Sequence, residues 1–525
     1  MYIAPNTTIR LIKNCPLDNK YEHTIFFRTP SAQYTYFYST LNGILFNNQS
    51  YQRVNKNKMR VQYNAESLYD VNYLMFKNTS FGDKWFYAFV NEVEYINNSC
   101  CEITYELDLL QTWHFNYLIP PCYIDREHIA VDTVGANLVP EGLETGDYIS
   151  SWDNWPLALQ DLSIVIAATF DASYNDFSGD IYCGLYAGLY YHVFPCDPIG
   201  AAAAEALIAG AGAKTSGIVA MFVMPTVFTG AQGSALTQRI TFSAPKYQTG
   251  AIDGYTPKNN KLYTYPYNFL YITNMQGNGA AYPYEYFSNN GDCLFDITGD
   301  MSPNPGVVLY PMYYKGRNEN FDEKMVLSGY PQLPYNIDAF KAWLAQNGTN
   351  LAVDALSTAG TIAAGAITAN PAAVTGGIMH VLSSVSQIYE RSLMPRQARG
   401  GSGSITACAT KNQNFLFMRK HVRAEFAEII DGFFNIYGYA THKVKSPNRT
   451  SRPEWNYVKT IGCKIEGGYP TDCDYPGGLV PLGVPAADAN AIENIYNNGI
   501  TFWHVPGHVA NYSYDNTPVT PGGGE

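Results

Sequence analysis

The sequence predicts a mainly β, multidomain chain with a minor helical share, and three observations carry that expectation. At 525 residues the chain exceeds one ordinary core and fits roughly two to four domains. It holds 43 tyrosines while only 15% of its residues are charged, against about 25% in typical globular proteins. Aromatic and β-branched side chains favour pleated, half-buried surfaces. Finally, short strand-like runs bounded by Asn, Gly, Asp and Pro recur along most of the chain.

The same composition narrows function. Tyrosine supplies large contact area with a polar tip, which suits surfaces where proteins meet. A low-charge, Tyr-rich β chain therefore reads as a subunit of an assembly and fits a monomeric enzyme poorly. The formal net charge of −12 argues against tightly held nucleic acid, because phosphate backbones require Lys and Arg footprints. It would suit a wall past which DNA slides. The ten cysteines include no CxxC pair and no zinc-ligand spacing, so buried free thiols are expected. Residues 1–14 lack the basic and apolar regions of a secretory signal.

Residues 1–125 read as an N-terminal β domain, with strands at Ile9–Ile12, Arg60–Tyr63, Lys84–Glu92 and Cys101–Leu107. The run Lys84–Val90 is apolar on both faces, which predicts a central strand. Pro120-Pro121 marks the boundary to a β-rich middle region, 126–335. Strands are expected there at Leu162–Phe170, Leu185–Phe194 and Ile218–Val223, with an Ala-rich helix at 199–211 and turns at Asn289–Asp292 and Asn304–Gly306. A short helix is expected at 338–346. The C-terminal α+β segment, 406–525, contains Phe426, Ile429, Ile430, Phe433, Phe434 and Tyr437 at helical spacing, with Gly438 as the cap. Strands at Trp455–Glu466 and Thr501–His504 flank a second helix at Ala487–Asn498, ended by Gly499.

Between these parts lies the most unusual stretch, a hydrophobic loop at 336–405. From Ala355 to Tyr389 no residue is formally charged, and Asn370-Pro371 divides the run into two arms. Each arm barely reaches the ~20 residues a spanning helix needs, and the break suits a helical hairpin. The apolar residues singled out as membrane-active are Ala355, Leu356, Ile362, Ile367, Pro371, Val374, Ile378, Met379, Val381, Leu382, Val385 and Ile388. Small residues contribute little transfer energy singly but let helices pack closely in lipid. Two readings follow: collective membrane insertion by several copies, or a plug buried inside a multimer. His380 is the one titratable group in the run.

Motifs for catalysis are weak. Gly210–Thr215 imitates a phosphate loop, but Ala213 stands where glycine must precede the lysine. His504 and His508 are four apart with Pro506-Gly507 between them, which breaks helical spacing. Asp472 and Asp474 fit a solvated turn better than a calcium loop. No GxSxG, HExxH or Cys/His constellation appears, so no catalytic residue, metal or cofactor is expected. Lys443, Lys445, Arg449 and Arg452 form the clear basic cluster, read as a solvated or subunit-contacting loop.

Several aromatic words occur in order. They are Tyr73–Asn78, Gly82–Val90, Glu106–Trp113 and Arg126-Glu127-His128 near the start, then Tyr437-Gly438-Tyr439, Trp455–Val458 and Asn498–His504 near the end. Together they resemble the tail knob proteins of small Picovirinae-type short-tailed bacteriophages, strongly over 70–130 and 415–512 and weakly over 130–335. The resemblance implies a tube-forming subunit in the distal tail of a virion, working as a homo-oligomer, a hexamer, among other tail proteins. It further implies that the hydrophobic loops block the lumen until ejection. They would then enter the host cell membrane, and viral DNA would pass without sequence-specific binding. No catalytic residue belongs to that role. The alternative is a receptor-binding adhesin whose Tyr-rich surface recognises cell-wall polysaccharide.

Overall fold

The computed structural model describes residues 5–49, 57–176, 181–182, 185–186, 189–229, 239–247, 249–289, 291–300, 305–333, 413–467 and 484–518. The chain divides into two compact units. The first comprises 1–146, 250–262 and 423–525, and the second 147–249 and 263–422. The architecture is mainly β.

A six-stranded antiparallel sheet dominates the first unit, in the order Gly43–Gln49, Thr7–Lys13, Val71–Lys77, Phe86–Asn97, Cys100–Leu107, Lys58–Val61. Its middle strands are apolar on both faces because each face meets a core. Leu74, Phe76, Phe86 and Ala88 enter one cluster with Trp113, Ile492 and Tyr496. Tyr73, Met75, Tyr87 and Phe89 enter the other with Phe27 and Phe37. The expected central strand at Lys84–Val90 is thus central, though it starts at Phe86 and runs on to Asn97.

A five-stranded sheet joins the chain's ends. Its order is His23–Ile25, Ile500–Trp503, Trp455–Ile461, Cys122–Glu127, Tyr439–Lys445, and the first pair is parallel. Trp455 and Trp503 face each other across it with ring centroids 5.0 Å apart. The expected strand Trp455–Glu466 stops at Ile461, where Gly462 takes φ 67° and turns the backbone out of the extended region. The helices Ala424–Tyr437 and Ala486–Asn498 end at Gly438 and Gly499, as their spacing predicts.

The 250–262 segment is held in the first unit by buried carboxylates, Asp431 above all, with Asp132 and Glu141 engaging Asn260 and Lys261. Asp431, 1% exposed on the helix Ala424–Tyr437, accepts from the Tyr255 hydroxyl (2.8 Å), the Lys258 amide (2.7 Å), and the Asn259 amide (3.0 Å) and side chain (2.8 Å). Four donors offset the cost of burying that charge.

Three main sheets build the second unit. Leu162–Ala168 lies between Tyr190–Pro195 and Ile218–Pro225. Val165, Ala167, Phe222 and Met224 face one core, while Ile164, Ile166, Met221 and Val223 face another. The helix Pro198–Ala211 covers that second face with Ala201, Ala204, Leu207 and Ile208, and Asp197 caps it by accepting from the Gly200 amide at 2.7 Å. The expected strand Leu185–Phe194 is two pieces, Leu185–Tyr186 paired with Ile181–Tyr182, and Tyr190–Pro195. A five-stranded sheet centres on Asp292–Asp300 and Gly306–Tyr314. A four-stranded one joins Gly279–Tyr282, Asn268–Thr273, Leu416–Val422 and Tyr148–Asn154.

The stems of the hydrophobic segment and the comparisons

The twelve membrane-active candidates, from Ala355 to Ile388, lie outside the described residues, as do His380, the expected helix at 338–346, Asp472 and Asp474. What the structure describes is the pair of stems from which the segment 334–412 departs. On the incoming side the Val223 amide donates to the Pro331 carbonyl (2.9 Å) and the Leu333 amide to the Met221 carbonyl (2.7 Å), and Leu333 is buried against Ile218–Pro225. On the outgoing side Phe415 and Phe417 enter the core, and Asn414 donates to the Pro156 carbonyl (3.3 Å). The stems also meet, since the Gln413 side chain donates to the Ser328 carbonyl at 3.0 Å. The two stems are therefore closed together on a packed frame. Among the described residues, no helix is long and apolar enough to cross a membrane.

The catalytic lookalikes have structural occupations. Lys214 donates to the Tyr174 carbonyl (2.8 Å) and pairs with Asp176 (2.9 Å), at the end of a helix with no loop to curl around phosphate. His504 bonds the Asn456 side-chain oxygen (2.9 Å), whereas His508 meets Glu454 (2.8 Å). The two rings serve different partners. Among the described residues, no group of His, Cys, Asp and Glu gathers as a metal site. Cys15, Cys100, Cys101, Cys122, Cys196, Cys293 and Cys463 are free thiols.

The basic cluster is not one surface patch. Lys443 is exposed and Lys445 pairs with buried Glu127. Arg449 lies with its guanidinium 5.3 Å from the Phe26 ring centre, and Arg452 is 3% exposed. Arg452 turns inward because Asn259 and Asn516, from distant segments, supply acceptors at 3.4 and 3.0 Å. Nothing in the local sequence distinguishes these two arginines from the two lysines.

The Arg126-Glu127-His128 word is structural at every position. Arg126 donates to the Gly438 carbonyl (2.6 Å) and pairs with Glu141. His128 is fully buried, with Nδ1 accepting from the Tyr457 amide (2.8 Å) and Nε2 donating to the Asn435 carbonyl (3.1 Å). A ring nitrogen that accepts an amide hydrogen has no room for a proton. Burial and the Arg452 charge accordingly push its pKa down to about 3.

Comparison with known proteins follows this geometry closely. Residues 5–117 match the family described as the caudoviral major tail protein N-terminus, and 234–474 match the C-terminal domain of the tail knob protein gp9 of Bacillus phage phi29. The chain is 24% identical to tail knob protein gp9 of Bacillus phage PZA and 24% identical to that of phi29, over 97% of this chain and 98% of each relative. The solved tail knob protein gp12 of bacteriophage C1 shares the fold, with a TM-score of 0.64 at 14% identity, covering 98% of this chain and 100% of that one. These matches define a structural component of a bacteriophage tail, a protein of the virion's distal end that associates with other tail proteins. More narrowly, the proteins it is similar to over nearly its whole length are tail knob proteins, the likeness that the aromatic words carried.

Proposed function

We propose that this chain forms a homo-hexameric distal tail tube whose hydrophobic segments, one per copy, close the lumen before ejection and then open the host membrane for the genome. The role is structural and non-enzymatic. The observation that carries the reading is the uncharged run Ala355–Tyr389, tethered at Ser328 and Gln413 to a packed frame. One copy of so small-residued a run gains little in lipid, but several packed together need no large side chains to exclude water. The negative net charge suits a wall that lets DNA slide without gripping it.

Because the stems already touch, residues 334–412 can be replaced by a short Gly-Ser linker without opening the second unit. Phage carrying that replacement should assemble and adsorb normally but fail to deliver DNA, and assembled rings should lose the ability to release dye from vesicles. Normal genome delivery by the variant would refute the proposal. On the adhesin reading, which places recognition on the Tyr-rich β surface and needs no uncharged hairpin, the replacement should leave adsorption intact.

A further inference from the structure

Two of the buried cysteines lie against each other in the first unit. Cys122 opens the strand Cys122–Glu127, and Cys463 follows the strand Trp455–Ile461, which pairs with it antiparallel so that Tyr123 sits opposite Ile461. Carried on regularly, that register would set Gly462 opposite Cys122 and point the Cys463 side chain to the other face of the sheet. Gly462 breaks it by taking φ 67°. The Cys463 amide then donates to the Asn497 side-chain oxygen at 3.0 Å, and its side chain turns into the core that Cys122 also enters. There the two thiols are hydrogen-bonded to each other, with Cys122 8% and Cys463 1% exposed.

Nothing in the spacing of the ten cysteines marks these two as partners, because the turn at Gly462 is what brings them together. Cys100 and Cys101 are adjacent in sequence, but neighbours along a strand point to opposite faces. Close approach of two thiols from paired segments is what a disulfide requires. The position of this pair in the chain adds a consequence. Every residue of the second unit lies between Cys122 and Cys463 in sequence. A bond between them would therefore close a loop containing that whole unit and tie together the two ends of the chain that build the first. The longer the loop a bond closes, the more disorder it removes from the unfolded chain.

We propose that Cys122 and Cys463 are a disulfide-forming pair, reduced while the protein is made and closed by a peroxide once the virion is outside the cell, where the bond staples the first unit. Disulfides persist at virion surfaces and are rare in the cytosol. Cys122, the less buried of the two, loses its proton, and its sulfur attacks one oxygen of the peroxide. The O–O bond breaks, leaving a sulfenic acid on Cys122 and a hydroxide that takes up the proton as water. The Cys463 sulfur then displaces the second oxygen, which leaves as water with the Cys463 proton. Two thiols are oxidised and one peroxide is reduced to two waters. Burial raises both pKa values, that of Cys463 to about 12, so thiolate is scarce and closure is slow. The inference rests on the place of the protein in the virion tail and not on what the hydrophobic segment does.

Full-length protein, reduced with dithiothreitol and then freed of it, tests the proposal in two portions, one kept reduced and one treated for hours with hydrogen peroxide. Both are denatured in urea with N-ethylmaleimide and mapped by mass spectrometry. The treated portion should yield a peptide pair joining Cys122 to Cys463, and the reduced portion both cysteines as maleimide adducts. Treatment should raise the melting temperature by about 5 °C or more, and dithiothreitol should reverse the rise. Cys463→Ala should abolish it, and should that variant fail to fold, the peptide map of the unmodified sequence decides alone. Maleimide on both cysteines after treatment, sulfinic acid at Cys122 in place of a bond, or Cys122 joined to a different cysteine would each overturn the proposal. So would a Cys122–Cys463 bond that leaves the melting temperature unchanged or lower.

Discussion

Acidification should loosen the first unit through His128, and the size of the effect can be worked out. In the folded chain Nδ1 accepts the Tyr457 amide and Nε2 donates to the Asn435 carbonyl, which also accepts from the Trp455 indole at 3.0 Å. The neutral tautomer is thereby imposed, and the folded pKa lies near 3, against an ordinary value of 6.5. With the folded value below the unfolded one, the stability it contributes is complete above pH 6.5. It is lost progressively as pH falls toward 3, because only the unfolded chain takes up the proton. Each pH unit in that window is worth about 1.4 kcal/mol, so lowering pH from 6.5 to 4.5 should cost roughly 2–3 kcal/mol from this ring alone. That is a large share of the ~5–15 kcal/mol that stabilises a typical domain. His128→Gln isolates the term, because the amide can still donate to Asn435 and accept from Tyr457 but cannot titrate. Urea unfolding followed by hydrogen exchange at 455–461 should show the wild-type protein losing about 2–3 kcal/mol more than His128→Gln between pH 6.5 and 4.5. An identical pH slope in the two proteins would refute the reasoning. Asp108, whose pKa burial raises to about 6, acts with the opposite sign between about pH 4 and 6, and it cancels in this comparison.

Three further outcomes follow from the geometry. Asp431→Ala strands the Tyr255, Lys258 and Asn259 donors, so it should cost about 3 kcal/mol or more and raise hydrogen exchange selectively at 250–262. Gly438→Ala should destabilise the first unit by more than about 2 kcal/mol, because φ is 66° and an added Cβ would collide with the Glu127 carbonyl. Gly432→Ala, in the same helix with open space around it, should instead raise stability by about 0.5–1 kcal/mol; both are read by chemical denaturation. Site-resolved alkylation at pH 8 should leave Cys15 and Cys463 unlabelled in the native protein, since burial pushes both thiols up to about 12, while half-buried Cys100 reacts. Rapid native labelling of Cys463 would contradict the packing described.

Much of the local structure was legible because its causes are local. An unbroken apolar run at Phe86–Phe89 demands cover on both faces, and it has two cores. The 3.6-residue recurrence through Phe426–Tyr437 and the glycines after it define a helix and its end. The end of the Trp455 strand was misjudged where Gly462 turns the backbone after a run of strand-forming residues. The basic cluster misled for another reason: whether an arginine faces water depends on acceptors such as Asn259 and Asn516, which are remote in sequence.

By itself, then, the sequence determined the β character, the helices with their caps, the neutral run between two β-rich parts, and the likeness to tail knob proteins, whose aromatic words are carried by side-chain order. Only the tertiary structure decided which strands meet. It joined His23–Ile25 to Ile500–Trp503, returned 250–262 to Asp431, and brought Ser328 to Gln413. Backbone hydrogen bonds are chemically the same at nearly every residue. Partners hundreds of positions apart are therefore chosen by how whole faces bury one another, and no short stretch of sequence records that choice.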